Sequence, residues 1–321
     1  MDLIQKIRDA NLLGRSGSRF PVFEKWVRLS EKDGKKFLIC NGAEGEPGVF
    51  KDKYILNNEP EKVVDGIEKV IEVLDINKSF FYLRKDYLKL FEKKLKNLFT
   101  AEIAIKRKDD RYVAGEETSV INSIEGNRGE PKIKPPYPTE QGLWNHPTLI
   151  HNVETFYAIS EIANDEYKGK KFYCISGAVK NEDVFKLDKD LTVRDVLIKT
   201  ENYPKFDFLV QVGGGLGGIF LSSQEIDVTC NRLASVKVFD KKKFDEKEKM
   251  KSITRLLMHG NCDKCTPCRE GIYRINEMLN SGYYDRDLLE EIILALEKSS
   301  YCPLGKVAGE VLNSLMKLYD N

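Results

Sequence analysis

In the first hundred residues the apolar positions alternate between two periods. Phe37-Leu-Ile-Cys40 is a short continuous apolar run, and Val63, Val64, Ile67, Val70, Ile71 and Leu74 then recur at helical spacing. Ser79-Phe-Phe-Tyr-Leu83 is a second run, followed by an amphipathic stretch through Leu88, Leu90, Phe91, Leu95 and Leu98. The order strand, helix, strand, helix predicts an α/β layer with a mainly parallel sheet. Asn58 and Glu61 have the spacing of a capping box for the first helix, and Pro60 falls in its first turn, where a missing N–H does no harm.

From residue 166 to 243 the texture changes to short strands: 172–176, 183–187, 206–212, 225–229 and 234–239, with one short helix begun by Thr192 and Asp195. This predicts a small module of the β-grasp (ubiquitin-like) kind. The charged stretch 240–251 reads as a linker. Beyond it lie three helical patterns: Ile272/Ile275/Leu279, Leu288/Leu289/Ile292/Ile293/Leu296 and Val307/Ala308/Val311/Leu312/Leu315. Their stripes predict a helical bundle. The chain therefore divides as 1–165, 166–243 and 244–321.

A formal net charge of +1 with 32% charged residues supplies no single-sign field for nucleic acid or a membrane surface. No apolar run reaches the length of a bilayer span, and residues 1–17 contain no apolar leader core. The expectation is a cytoplasmic protein with no direct membrane insertion and no nucleic-acid partner. Seven cysteines are an odd number, and four crowd into the last quarter of the chain. That distribution fits reduced thiols holding a metal better than a disulfide framework.

Those four are Cys262, Cys265 and Cys268 at x2, x2 spacing, and Cys302 followed by Pro303 after two helical patterns. Three thiolates close in sequence and a fourth from a distant segment suit a [4Fe–4S] cluster. Zinc is the competing reading, although closed zinc sites usually use two separated cysteine pairs. Cys40, Cys174 and Cys230 sit in strand-like apolar surroundings and read as ordinary buried cysteines.

Three segments of the first half have a composition suited to anions or planar rings. One is the loop with Gly14, Gly17, Phe20 and Lys25; another, directly after the first apolar run, has Asn41, Glu44 and Glu46; the third is Tyr112-Val-Ala-Gly115-Glu116-Glu117. Glycines at a strand end let backbone N–H groups approach a phosphate, and Lys25 could neutralise one. Tight turns and an exposed helix N-terminus explain the same residues equally well. The segment KPPYP at 134–138 reads as stiff and extended, presenting Tyr137. Gly213–Gly218 matches G-x-G-x-x-G, but the alternating residues after it predict another strand, so we read it as a hairpin turn and not a dinucleotide site.

Taken in order, EGEPGVFKD (44–52), AGEETSVINSIEGNRGEP (114–131), KPPYP, HPTLIHNVET (146–155), CDKCTPCREG and YCPLG resemble one family through nearly the whole chain. It is the flavin-binding, NADH-oxidising subunit of respiratory complex I and its relatives in NAD-linked hydrogenases and formate dehydrogenases. The resemblance implies an N-terminal Rossmann-like flavin domain, a β-grasp middle module and a C-terminal helical bundle with the iron–sulfur site. It implies FMN held by Gly14, Gly17, Lys25, Asn41, Glu44, Tyr112, Gly115, Glu116, His151 and Asn152. NAD(H) or NADP(H) would lie with Glu46 and Glu117 near ribose and nicotinamide, and Phe20 and Tyr137 against adenine. Partners by analogy are a small thioredoxin-like [2Fe–2S] subunit and a larger iron–sulfur or catalytic subunit. The chain departs from the family at Ser16 and Arg19, where glycines are usual, at Ala43 and His151, and at Arg28, where an aromatic is expected. An NAD(P)H:acceptor oxidoreductase, a non-catalytic iron–sulfur paralogue and a zinc-stabilised module all remain open at this point.

Overall fold

A computed structural model describes residues 2–230, 235–282 and 285–319. Contacts divide the chain into two compact units. The first comprises Met1–Gly45, Phe50–Asp110 and Ala114–Lys171; the second comprises Glu46–Val49, Arg111–Val113 and Phe172–Asn321.

The first unit contains α1 (Leu3–Asp9), α2 (Val22–Ser30), β1 (Phe37–Gly42), α3 (Lys51–Asn58), α4 (Pro60–Leu74), β2 (Lys78–Leu83), α5 (Lys85–Leu98), β3 (Ile103–Arg107), α6 (Glu117–Ile124), β4 (Thr148–Asn152) and α7 (Val153–Ala163). Its sheet has the order β3-β2-β1-β4, and all three pairings are parallel. Both apolar runs are central strands, buried almost throughout, as two helix-covered faces require. Helix α4 buries Val63, Val64, Ile67, Val70 and Leu74, and it meets α7 so closely that a Cβ on Gly66 would stand 2.0 Å from the carbonyl oxygen of Phe156.

The expected capping box at Asn58 does not form. Asn58 ends α3 and its side chain donates back to the Tyr54 carbonyl, while Glu59 is the N-cap of α4 and its side chain makes no capping bond. Pro60, at the first helical position, supplies the start signal instead. Within KPPYP the Lys134–Pro135 and Pro135–Pro136 bonds are cis, and Tyr137 is 44% exposed.

In the second unit, β5 (Lys170–Gly177), β6 (Asp183–Asp188), α8 (Val193–Lys199), β7 (Phe208–Val212), β8 (Ile219–Ser222) and β9 (Ser235–Asp240) build a five-stranded sheet of order β6-β5-β9-β7-β8. β5 and β9 are parallel, and β7 is antiparallel to both neighbours. The capping box of Thr192 and Asp195 is present. β7 and β8 flank Gly213–Gly218 as a hairpin. Residues 225–229 form no strand: only Thr229 makes an isolated bridge, to Thr192, because the alternating run is used up in β8 and the chain then turns.

The charged stretch at 240–251 is not a linker, since it holds a 3₁₀ turn and the start of a fourth helix, α9 (Glu246–Gly260), capped by Asp245. The local charges hid a sparse stripe of Met250, Ile253 and Leu257. α9 packs with α10 (Ile272–Ser281), α11 (Arg286–Ser299) and α12 (Pro303–Tyr319) around Ile272, Ile275, Leu289, Ile293, Leu296, Val311 and Leu312. At roughly 1.5–3 kcal/mol for each fully buried side chain, this stripe-to-stripe burial holds the four helices together. α12 also lies on β8, where the Ser314 hydroxyl accepts from the Phe220 amide at 3.0 Å.

Candidate functional site

In the first unit β1 is the strand at which the winding reverses: the chain continues outward through β2 and β3 on one side and returns to β4 on the other. In an open parallel sheet a ligand crevice opens beyond the carboxyl ends of the strands at such a point. Asn41 and Asn152 face each other there as register partners. Asn152 caps α7, accepts from Lys51 Nζ at 2.7 Å and donates to the Asn41 carbonyl and to Asp52. Asn41 donates to the Gly115 carbonyl at 3.0 Å and accepts from the Ala43 amide. Buried His151 accepts from Trp26 Nε1 at 3.1 Å, and burial, with Lys25 nearby, holds its pKa well below the usual histidine value. These side chains commit most of their hydrogen-bonding capacity to the crevice wall.

Beneath that wall lies a charged network that local sequence pattern did not reveal. Lys51 and Asp52 are 2% and 1% exposed at the start of α3. Lys51 Nζ reaches Asp52 at 2.6 Å and Glu154 at 3.2 Å, and these carboxylates, with Glu44, keep the ammonium charged despite its burial. Glu44 accepts from the Asp52 and Lys53 amides, serving the open end of α3, and from the Tyr87 hydroxyl at 2.7 Å. Burial and the neighbouring Asp52 push its pKa up to about 7, against Lys51 and these hydrogen bonds. The available signal was FKD followed at distance by NVET: charges inside otherwise apolar stretches, which read locally as surface.

At the crevice mouth Lys25 pairs with Glu117. Glu116 is the N-cap of α6, accepting from Thr118 and Ser119, and is paired with Lys134 at 2.7 Å. These residues do open a helix, but not an exposed one: the Glu116 and Glu117 side chains are 14% and 28% exposed and ion-paired. The groups present fit a flavin phosphate. Lys25 supplies a cation, Gly17 has open space where a Cβ would stand, and Arg15 Nε is buried with no hydrogen-bond partner, 4.0 Å from Glu154.

Glu46 and Tyr112 belong to the second unit. The Tyr112 hydroxyl donates to Glu46 Oε2, while Oε1 accepts from the Leu216 and Gly217 amides of the β7–β8 hairpin. The glycine-rich turn thus does hold an anion, but it is an internal carboxylate. Burial raises the Glu46 pKa and these donors oppose it.

All four cysteines of the C-terminal motif are buried. Cys262 follows α9, Cys268 lies on the turn Pro267–Gly271 that opens α10, and Cys302 immediately precedes α12. Cys265 and Cys268 are part of the bundle core, and Cys262 and Cys302 pack together with Val113 and Leu304. Burial and the neighbouring Cys265 and Cys302 sulfurs push the Cys268 thiol up. A Cβ on Gly305 would stand 2.8 Å from Cys268 Sγ and 2.1 Å from the buried Ser300 hydroxyl. Among the described residues, no three His, Cys, Asp or Glu side chains close on one point as ligands of a single ion. Four buried thiols, Cys262 packed with Cys302 and Cys268 near Cys265 and Cys302, beside a position kept bare by glycine, are a donor set whose chemistry fits an iron–sulfur cluster. Cys40, Cys174 and Cys230 are buried in strands or sheet core, away from this motif in sequence.

A parallel α/β unit with polar side chains collected at its switch point and a helical unit with four buried thiols are the features of the flavin and iron–sulfur class of redox proteins. Residues 7–161 match the Nuo51 FMN-binding domain, and residues 248–321 match the NADH-ubiquinone oxidoreductase-F iron-sulfur binding region. The chain belongs to this family of NADH-oxidising flavoprotein subunits. It is 29% identical to the F-subunit of NADH-quinone oxidoreductase in Aquifex aeolicus, over 99% of this chain and 84% of that protein. It is 28% identical to NADP-reducing hydrogenase subunit HndC of Solidesulfovibrio fructosivorans, over 100% of this chain and 75% of that one. Its fold matches a chain of the NAD+-reducing [NiFe]-hydrogenase in the H2-reduced state with a TM-score of 0.92 at 30% identity. That match takes in 99% of this chain but spans only 61% of the hydrogenase chain. Among the described residues no helix is long and apolar enough to cross a membrane.

Proposed function

We propose that the chain is an NAD(P)H:acceptor oxidoreductase subunit that passes hydride electrons through FMN to a [4Fe–4S] cluster and on to partner subunits. The observation that carries this reading is the burial of four thiols from two remote segments, Cys262, Cys265 and Cys268 with Cys302, in a chain of this family. Bound in such a subunit, FMN accepts a hydride and releases electrons singly, and the cluster carries them onward.

In this reading the chain comprises a Rossmann-like flavin domain (1–165), a β-grasp module (166–243) and a helical iron–sulfur domain (244–321). Gly14, Gly17 and Lys25 take the flavin phosphate; Lys25, now paired with Glu117, exchanges that carboxylate for the phosphate. Asn41, His151 and Asn152 shape the crevice wall, and Glu44, Gly115 and Glu116 complete it, with Tyr112 assigned by the family motif. Glu46 and Glu117 are assigned to the nucleotide, with Phe20 and Tyr137 against its adenine. The partners are a thioredoxin-like [2Fe–2S] subunit and a larger iron–sulfur or catalytic subunit, assembled on the cytoplasmic side.

Anaerobic purification followed by iron, FMN and visible-spectrum measurements tests this. Flavin and cluster absorption, both bleached by NADH or NADPH, is the expected result. A brown protein without releasable FMN points instead to a non-catalytic iron–sulfur paralogue, and a colourless zinc protein overturns both readings.

A further inference from the structure

On α2, Arg28 projects between two aromatic rings. Its guanidinium carbon lies 5.6 Å from the centroid of Phe20 and 5.9 Å from that of Tyr137. Lys25 stands 5.9 Å from the same Phe20 ring. Arg19, beside Phe20, has a left-handed backbone (φ 49°), and its side chain makes no hydrogen bond or ion pair among the described residues. The carboxylate paired with Arg28 is Glu24, 3.7 Å away and 49% exposed, so water and salt screen it. Lys25 pairs with Glu117 and is assigned above to the flavin phosphate. Arg28 therefore lies against the half-buried Phe20 and the exposed Tyr137, held by one loosely paired carboxylate, and Arg19 stands next to Phe20 in the chain.

We propose that this corner receives the 2′-phosphate of NADP(H), making Arg28, supported by Arg19, the residue that selects NADP(H) over NAD(H). The inference rests on the nucleotide-binding reading above and narrows its substrate. A guanidinium stacked on aromatic faces keeps its N–H edge free, and that planar edge matches a phosphate's oxygens two at a time. Chains that bind NAD(H) usually present a carboxylate to the free ribose 2′-hydroxyl, whereas an arginine accommodates the 2′-phosphate. Here arginine stands at the aromatic pair and the nearest acid is already its partner. Tyr137, 44% exposed, has a ring face to offer the adenine beyond the one Arg28 covers.

The test is calorimetric titration of the full chain, purified anaerobically, with 2′,5′-ADP and with 5′-AMP. At least tenfold tighter binding of 2′,5′-ADP is expected, weakening as salt is raised. Arg28→Gln should bring the two affinities to within about twofold, and Arg28→Lys should fall between because it keeps the charge without the plane. Equal or tighter binding of 5′-AMP to the unaltered chain overturns the proposal, as does an unchanged ratio in Arg28→Gln. If neither nucleotide binds, the nucleotide-binding reading itself falls and this inference falls with it. Circular dichroism confirms that the variants are folded, as expected for a side chain 44% exposed.

Discussion

Tyr112 donates its phenolic hydrogen to the carboxylate of Glu46, and the second oxygen of that carboxylate sits on the amides of Leu216 and Gly217. Three donors from two distant segments thus fix one side chain of the EGEPG motif. Gly214 makes the arrangement possible. Its φ is +101°, and a Cβ there would lie 2.2 Å from Glu46 Cγ.

Gly214→Ala combines a backbone conformation unsuited to an L side chain with a collision. A loss of about 1–3 kcal/mol is expected for each of the strain and the overpacking. Thermal unfolding measures it. A Gly214→Ala, Glu46→Ala double variant should lose less than the sum of the singles, because the collision disappears with the glutamate. Additive losses would show that the two residues do not interact.

Lys51 lies among the carboxylates of Asp52, Glu154 and Glu44. Lys51→Met keeps the volume and removes the charge, taking the buried cation away from the carboxylates packed around it. A destabilisation of about 3–5 kcal/mol is expected in denaturant unfolding, and a loss under 1 kcal/mol would contradict the network.

The Glu44 carboxyl holds its proton more tightly folded than unfolded, with its pKa raised from 4.5 to about 7 by burial and Asp52. Folded protein therefore binds more protons than unfolded protein in that window. The contribution of Glu44 is fully present below about pH 4.5 and is lost as pH rises through 7. Glu44→Gln should flatten this part of the stability–pH curve, as read by urea unfolding at several pH values. An unaltered slope would place the titrating group elsewhere.

Gly305→Ala places a methyl group against Cys268 Sγ and Ser300 Oγ. Iron and acid-labile sulfide per chain should fall well below the unaltered protein, and Cys302→Ser should lower both through loss of a thiolate. Full iron content in Cys302→Ser would remove that residue from the ligand set.

Gly66→Ala probes the fold apart from either site, because its Cβ would stand 2.0 Å from the Phe156 carbonyl oxygen where α4 crosses α7. Helix propensity alone favours alanine by up to about 1 kcal/mol. Packing should reverse the sign, lowering the unfolding midpoint. A raised midpoint would mean the helices can separate freely.

Much of the architecture is written in local periodicity. The runs 37–40 and 79–83 are β1 and β2, and the helical stripe from Val63 to Leu74 is α4, because strand and helix bury different repeats. The hairpin at Gly213–Gly218 was likewise legible from the alternation after it. Where apolar residues thinned among charges, as in α9, or where one alternating run served two apparent strands, as at 219–229, local pattern misled.

Residue types at fixed spacing sufficed to mark the four thiols, since a cysteine's chemistry travels with it and x2 spacing constrains the chain locally. Neither the packing of Cys302 beside Cys262 and Cys268 nor the neutralisation of Lys51 by acids at positions 44, 52 and 154 is a local property. The same holds for Glu46, which met its donors only when a hairpin some 170 residues away folded over it. Burial sets the charge state and partners of such groups, and burial depends on which distant segments remove water from them, a quantity defined only once the chain has closed on itself.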